Sequence, residues 1–374
     1  MRILVLLTDG FGGSGGIAKF NRDLLNSLCS HPAVQKVVAL PRLIPEPVGE
    51  LPAKLEYISS AAGGKIRFAI AALKSSIVNR QSAVIFCAHI NLLPVAFAMR
   101  QFCRAPVVLI IHGIDAWQPT RSRLANYLAK RIDAFVSASD FTRQRFLNWT
   151  KLNGTRSFIL PNCIDQNRFN PGPKPMELLT RYGLRGRTVM MTLARLSAFE
   201  RYKGIDEVLE VLPALAVAIP DLAYLICGDG DDGARLEQKA ARLGVRNRVV
   251  FPGYIPEAEK VDHYRLADAF VMPGRGEGFG IVYLEAMACG IPVVASKADA
   301  SREAVRNGEI GRLADPDKPE ELKAEILQAL SAGASPAERR PPSGLEYFSR
   351  PNFERRCHQM VEQVLTPACR QDSH

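Results

Sequence analysis

Two glutamates eight residues apart, Glu277 and Glu285, bracket the run Gly278-Phe279-Gly280-Ile281. An ionised carboxylate only accepts hydrogen bonds, so a pair like this suits a ligand rich in hydroxyl donors, such as a sugar. The residues around them suit a second chemistry. The apolar run Ala269–Met272 predicts a buried strand, the loop Pro273–Gly280 carries four glycines, and Ile281–Cys289 predicts a helix stopped by Gly290 and Pro292. A glycine-rich loop opening into a helix N-terminus offers free backbone N–H groups and the positive end of the helix dipole, which suits a phosphate. Carboxylates beside an anion are unfavourable unless another part of the ligand donates hydrogen bonds to them. Read alone, the segment also fits an ordinary strand-to-helix turn with two solvated glutamates.

Further groups stand just past predicted strands. Arg195 follows Thr188–Leu193, and Lys203-Gly204 comes eight residues later. A planar guanidinium fork and a mobile ammonium are the cations a diphosphate would use, although most Arg/Lys pairs are simply solvated. Gly228 ends the next strand, Ala223–Cys227, and Phe251-Pro252-Gly253-Tyr254-Ile255 ends the one after it. His112 and Asp115 follow Val107–Ile111; the His suits a cleft-facing polar role, and the Asp is equally an ordinary helix cap. Near the N-terminus, Gly10, Gly12 and Gly15 satisfy G-x-G-x-x-G. Five glycines in seven residues satisfy many patterns, and Pro41-Arg42 stands where the dinucleotide fingerprint wants a ribose-binding acid. An NADP-dependent oxidoreductase survives only if Arg42 meets a 2′-phosphate.

The long string Glu-Gly-Phe-Gly followed by Glu-Ala-Met-Ala-Cys-Gly-Ile-Pro-Val-Val-Ala closely resembles the signature of the retaining glycosyltransferases of the GT-B fold, family 4, also called glycosyl transferases group 1. Its E-x7-E pattern falls on Glu277 and Glu285. The resemblance implies that Glu277 is catalytic and touches the transferred sugar, that Glu285 holds the nucleotide ribose, and that the Gly278, Phe279, Gly280 and Ile281 stretch holds the donor's sugar and phosphates. It implies that Arg195 and Lys203 grip the diphosphate, that the backbone near Tyr254 and Ile255 reads the base with Gly228 among the substrate-binding residues, and that Gly15 and Gly16 approach the phosphates and the acceptor. His112 would be the second catalytic residue, stabilising charge beside the donor sugar. Pro161-Asn162-Cys163-Ile164-Asp165 resembles the family's Pro-Asn-Gly-Val-Asp with Cys163 in the glycine's place, and Ala194 likewise replaces a glycine before Arg195.

These residues need elements to position them. The chain has 374 residues, 47% apolar and 23% charged, which suits two soluble domains. Strands alternate with helical patterns in both halves, predicting doubly wound parallel sheets. The fold expectation is α/β, GT-B, with two Rossmann-like domains facing a cleft: an acceptor domain over 1–172 and a nucleotide-sugar domain over 173–345. The Pro/Gly run 171–175 serves as linker, the stretch past residue 330 is a flexible connection, and a helix from Asn352 to Leu365 crosses back to the first domain, with the tail from Thr366 frayed.

Charge is uneven: residues 1–170 carry 21 Lys and Arg against 9 Asp and Glu, and the remainder 27 against 29. No nucleic-acid module accompanies the basic half, so an anionic membrane surface is the expected partner, with Lys65–Lys74 as a candidate interfacial helix or an ordinary packing helix with basic edges. The eight cysteines lack any metal or Cys-x-x-Cys spacing and read as buried hydrophobes in a reducing compartment. The N-terminal apolar run is too short for a signal peptide, giving a cytoplasmic protein, peripheral on the inner face of the membrane. No metal and no cofactor beyond the donor are expected. The expected activity is transfer of a hexosyl unit from GDP-mannose or a UDP-hexose to a lipid-linked or polysaccharide-precursor glycan. The alternatives are a nucleotide-sugar epimerase, a phosphorylase, and a non-catalytic sugar-nucleotide binder.

Overall fold

A computed structural model describes residues 1–332 and 337–366. The chain forms two compact units: Met1–Cys163 with the helix Arg350–Leu365, and Ile164–Ser349.

The first unit holds seven strands: β1 (Arg2–Leu7), β2 (Lys36–Pro41), β3 (Leu55–Tyr57), β4 (Ser82–Cys87), β5 (Val107–Ile111), β6 (Ala134–Ser137) and β7 (Arg156–Ile159). They pair in parallel in the order β3-β2-β1-β4-β5-β6-β7. Alternate side chains of one strand point to opposite faces. In β1, Ile3, Val5 and Leu7 join one apolar cluster while Leu4 and Leu6 join another. Both clusters are buried, so the strand reads as a continuous apolar run rather than an alternating one.

The first cluster is closed by two helices, Gly15–Ser30 and Arg350–Leu365. The latter contributes Phe353, Cys357, Met360, Val361 and Val364, the i, i+4, i+7, i+8, i+11 stripe of one helix face. Each such side chain stabilises the contact by about 1.5–3 kcal/mol. The terminal helix therefore packs within the first unit. The stretch from Pro367 onward, where the frayed tail was expected, lies outside the described residues.

The second unit repeats the plan with β8 (Val189–Leu193), β9 (Ala223–Cys227), β10 (Val249–Gly253), β11 (Ala269–Val271), β12 (Val293–Ser296) and β13 (Arg312–Ala314), in parallel order β10-β9-β8-β11-β12-β13. In both units the order reverses beside the first strand. Ligands of such sheets bind at that reversal, outside the carboxyl ends of the strands. It lies between β1 and β4 in one unit and between β8 and β11 in the other.

The segments expected as linker and as flexible connection make specific contacts at described residues. In the Pro/Gly run, Lys174 pairs with Asp268 Oδ2 at 2.6 Å, and a Cβ on Gly172 would meet the Arg265 guanidinium at 2.6 Å. In the stretch past residue 330, Arg339 is 2% exposed. Its guanidinium donates to the carbonyls of Arg265 (2.9 Å) and Ala267 (2.8 Å) and to Asp268 Oδ1 (2.9 Å). Asp268 thus holds both segments on the second unit with its two oxygens. The seven described cysteines are unpaired and buried. Among the described residues no helix is long and apolar enough to cross a membrane.

Candidate active site

The reversal in the second unit is built by two loops in direct contact. One follows β8 and runs from Ala194 to Lys203; the other follows β11 and runs from Met272 to Gly280. Arg275 N donates to Tyr202 O at 2.7 Å. Glycine permits that approach: a Cβ on Gly276 would meet the Tyr202 ring at 2.5 Å, and one on Gly274 would meet Tyr202 O at 2.9 Å. Gly204 has φ of 84°, and a Cβ there would collide with Pro273 O.

Lys203 Nζ is ion-paired with Glu277 Oε1, the two side chains being 17% and 12% exposed, and lies 3.8 Å from Glu200 Oε2. The carboxylates hold the Lys203 ammonium above its ordinary pKa despite the burial that opposes it. Arg195 pairs with Glu200 Oε1 and is 81% exposed. The two cations predicted to grip a diphosphate are therefore together in one charge cluster, each held by a carboxylate.

The second loop is oriented by Asp299. Its Oδ2 accepts the backbone N–H of Glu277 at 2.9 Å, and its Oδ1 accepts Ser301 N (3.0 Å) and Oγ (2.6 Å). Burial, with a contribution from the Glu277 charge, pushes the Asp299 carboxyl up to about 6. Gly280 then caps the helix Ile281–Ala288 with φ of 85° and no side-chain cap. The first N–H groups of that helix accordingly have no side-chain acceptor at the cap. Phe279 does not line an open surface: it is 2% exposed and packs edge-on against Phe348 at 5.6 Å. Glu285 is 2% exposed, and its Oε2 accepts the Tyr264 hydroxyl at 2.8 Å with Lys260 Nζ at 3.9 Å.

The neighbouring strand ends complete this side. Gly228 N donates to Gly253 O at 2.9 Å, tying the end of β9 to that of β10. Beyond it Tyr254 is 64% exposed and Ile255 is buried. Among the described residues no three His, Cys, Asp or Glu side chains converge as a metal site.

In the first unit, the loop after β1 leads to the helix Gly15–Ser30, whose Ser14 cap makes no side-chain hydrogen bond. Nothing lies within 4 Å of a Cβ placed on Gly15 or Gly16, so both face open space. His112 follows β5. Its Nε2 lies 3.2 Å from Ala88 O, the residue after β4, and Phe20 packs edge-on at 5.2 Å. Burial pulls the imidazole down to about 4, so the ring is neutral at pH 7. With Nε2–H donating to Ala88 O, Nδ1 is left as an acceptor. Asp115 Oδ1 accepts Gly113 N at 2.8 Å, which fixes the turn carrying His112.

The structure thus places Arg195, Lys203, Gly278, Gly280, Ile281 and Glu277 at one strand reversal, and Gly15 and Gly16 at the other. The sequence reading did not single out Glu200, Tyr202, Asp299, Lys260 and Tyr264. Asp299 was within reach, since it stands three residues past β12; Tyr264 lies inside a helix and gives no such signal.

A family model described as Glycosyl transferases group 1 matches residues 191–341, and one described as Glycosyltransferase Family 4 matches residues 14–168. The GDP-mannose-dependent α-(1-6)-phosphatidylinositol monomannoside mannosyltransferase of Mycolicibacterium smegmatis is 36% identical over 220 residues, 56% of this chain and 56% of that protein. The phosphatidyl-myo-inositol mannosyltransferase of Mycobacterium leprae is 29% identical over 319 residues, 84% of this chain and 79% of its own. Several such relatives are matched over less than two thirds of their length, as the shares of 56%, 63% and 50% show. Among solved structures, Anabaena HepE in complex with UDP and glucose superimposes with a TM-score of 0.74 at 22% identity, covering 98% of this chain and all of that one. The chain belongs to the family 4, or group 1, glycosyltransferases and has their two-domain α/β GT-B fold.

Proposed function

We propose that this chain transfers a hexosyl unit from a nucleoside diphosphate sugar to a hydroxyl of a lipid-linked acceptor, with retention and without a metal. The observation that carries the reading is the joining of Lys203 and Glu277 beside the uncapped helix at Ile281, at the strand reversal of the second unit. Cation, helix dipole and free N–H groups are what a departing diphosphate needs, and fixed charge of this kind is usually the largest catalytic contribution. A carboxylate within reach of the same cation is the group to accept hydroxyls of the transferred sugar.

In this reading the diphosphate takes over from Glu277 and Glu200 as partner of Lys203 and Arg195, releasing Glu277 toward the sugar. Glu285 holds the nucleotide ribose, with Tyr264 and Lys260 fixing its carboxylate. Gly228, Tyr254 and Ile255 border the base. The Gly278 to Ile281 backbone holds sugar and phosphate, and Gly15 and Gly16 admit phosphate and acceptor. His112 acts as a neutral hydrogen-bonding group through Nδ1, since its lowered pKa removes the cation at neutral pH. The leaving phosphate itself takes the acceptor's proton on the face it vacates, so no side-chain base is required. GDP-mannose is the favoured donor and an inositol-type phospholipid or its glycoside the favoured acceptor class, because the mannosyltransferases similar in sequence bear those names.

The reading is tested by incubating purified protein with labelled GDP-mannose, UDP-glucose or UDP-galactose and a bacterial lipid extract in EDTA. Labelled glycolipid from one donor supports it, and the anomeric configuration of the product reports retention. A free sugar-nucleotide isomer formed without acceptor would instead identify an epimerase.

A further inference from the structure

From Tyr57 to Ile114 the chain contains no Asp or Glu and six Lys or Arg. Within this stretch the helix Lys65–Val78 buries Phe68, Ala72 and Ser76, one stripe at i, i+4 and i+8. Its outward side presents Ile66 (78% exposed), Ile70 (49%) and Ile77 (42%). At 100° per residue these three fall on one line along the helix, and Arg67 and Lys74 border it. The helix starts at Gly64 without a side-chain cap and has no acid in its first turn, where Lys65 and Arg67 stand instead. Cations there oppose the helix dipole, although Arg67 Nε donates to Ser60 O at 2.7 Å. An external negative surface would engage both.

Neighbouring helices also expose apolar side chains. Leu93–Cys103 packs against Lys65–Val78, and Arg123–Ala129 packs against Leu93–Cys103. They expose Phe102, Leu124 and Tyr127, with the Arg131 guanidinium 3.5 Å over the Tyr127 ring. An open hollow of about 990 Å³ lies beside the first helix, bordered by Ile58, Gly64, Ile66 and Ile70.

We infer that this face docks on an anionic phospholipid surface, with Ile66, Ile70 and Ile77 entering the headgroup boundary while Lys65, Arg67 and Lys74 meet lipid phosphates. A second copy of the chain is the poorer occupant, because the same face set against itself would bring like charges together. The inference extends the proposed lipid acceptor by naming where the bilayer lies, but it does not depend on catalysis.

The test is co-sedimentation of the purified full chain with phosphatidylcholine vesicles and with vesicles also containing phosphatidylglycerol, in the absence of any nucleotide sugar. Binding is expected only to the anionic vesicles, and to weaken as salt rises. Ile66→Asp/Ile70→Asp should reduce it about tenfold or more, and Lys65→Glu/Arg67→Glu/Lys74→Glu on the order of a hundredfold. All five side chains are exposed, so the melting temperature should hold; if a variant unfolds, the salt titration of the native chain decides. Equal binding to both vesicle types, or variants that bind as the native chain does, overturns the inference. So does a dimer that Ile66→Asp/Ile70→Asp dissociates while vesicles go unbound. Nucleotide-induced stabilisation, measured separately, tells a failure of this inference from a failure of the transferase reading.

Discussion

Lys203 and Glu277, 74 residues apart in sequence, are joined as an ion pair at the point where the second unit's strand order reverses. The pair links the loop after β8 to the loop after β11. In the proposed reading it places the cation for the phosphate beside the carboxylate for the sugar.

Removing one partner leaves the other a poorly solvated charge. Lys203→Ala should therefore lower stability by about 1–3 kcal/mol, less than for a fully dry pair because both side chains retain some exposure. It should also abolish nucleotide binding. Glu277→Gln keeps an acceptor and removes the charge, so nucleotide binding should persist while turnover falls about 10²- to 10³-fold. Thermal melts with and without nucleotide, alongside turnover, separate the two. Equal turnover in both variants and the native chain would remove the assignment.

Asp299 gives a pH signature. Its carboxyl is raised from 3.8 to about 6 in the folded chain, so between those values the native state binds more protons than the unfolded one. Stability from this group is then lost as pH rises through that window, by about 3 kcal/mol at most. Asp299→Asn removes the dependence. The stability of the variant relative to the native chain should improve from pH 4 to pH 7 in urea unfolding, and Asp115, also raised to about 6 by burial, cancels because both proteins keep it. A constant difference at both pH values contradicts the assignment. Loosening of the Glu277 backbone should appear separately, as reduced turnover.

Two glycines distinguish a structural requirement from a ligand requirement. Gly228 has φ of 138° and a Cβ there would collide with Ala194 O, so Gly228→Ala should destabilise the second unit by about 2–4 kcal/mol. Gly16 has open space around it and an ordinary φ. Gly16→Ala should leave the melting temperature unchanged, or slightly raised by its helix propensity, while lowering transfer to acceptor. Full transfer by Gly16→Ala would withdraw the role given to that residue.

The parallel sheets were legible because their central strands are unbroken apolar runs such as Ile3–Leu7 and Ala223–Cys227, which only burial on both faces explains. The short outer strands β3, β7 and β13 were not: β13 is Arg-Leu-Ala, and its place is decided by pairing with β12 rather than by its own pattern. The helix Pro319–Ser331 was missed inside a stretch read only for its end. Gly/Pro content suggested a linker at 171–175 and a flexible connection past residue 330, yet Lys174 of the one and Arg339 of the other both pair with Asp268, a residue nearly a hundred positions from the first. The site's chemistry was readable where residues stand just past strands. Its supports, Asp299 under Glu277 and Tyr264 against Glu285, depend on tertiary neighbours that spacing does not reveal.

The most direct test of the account is whether the loops joined by Lys203 and Glu277 bind a nucleoside diphosphate. Thermal unfolding should be followed in EDTA against GDP, UDP, ADP and their common sugars, for the native chain and for Lys203→Ala. A ligand at 100 times its dissociation constant adds about 2.7 kcal/mol of stability. The account predicts that one nucleotide, GDP first, raises the melting temperature of the native chain and not of the variant. No shift with any of them, or an equal shift in both proteins, would contradict it.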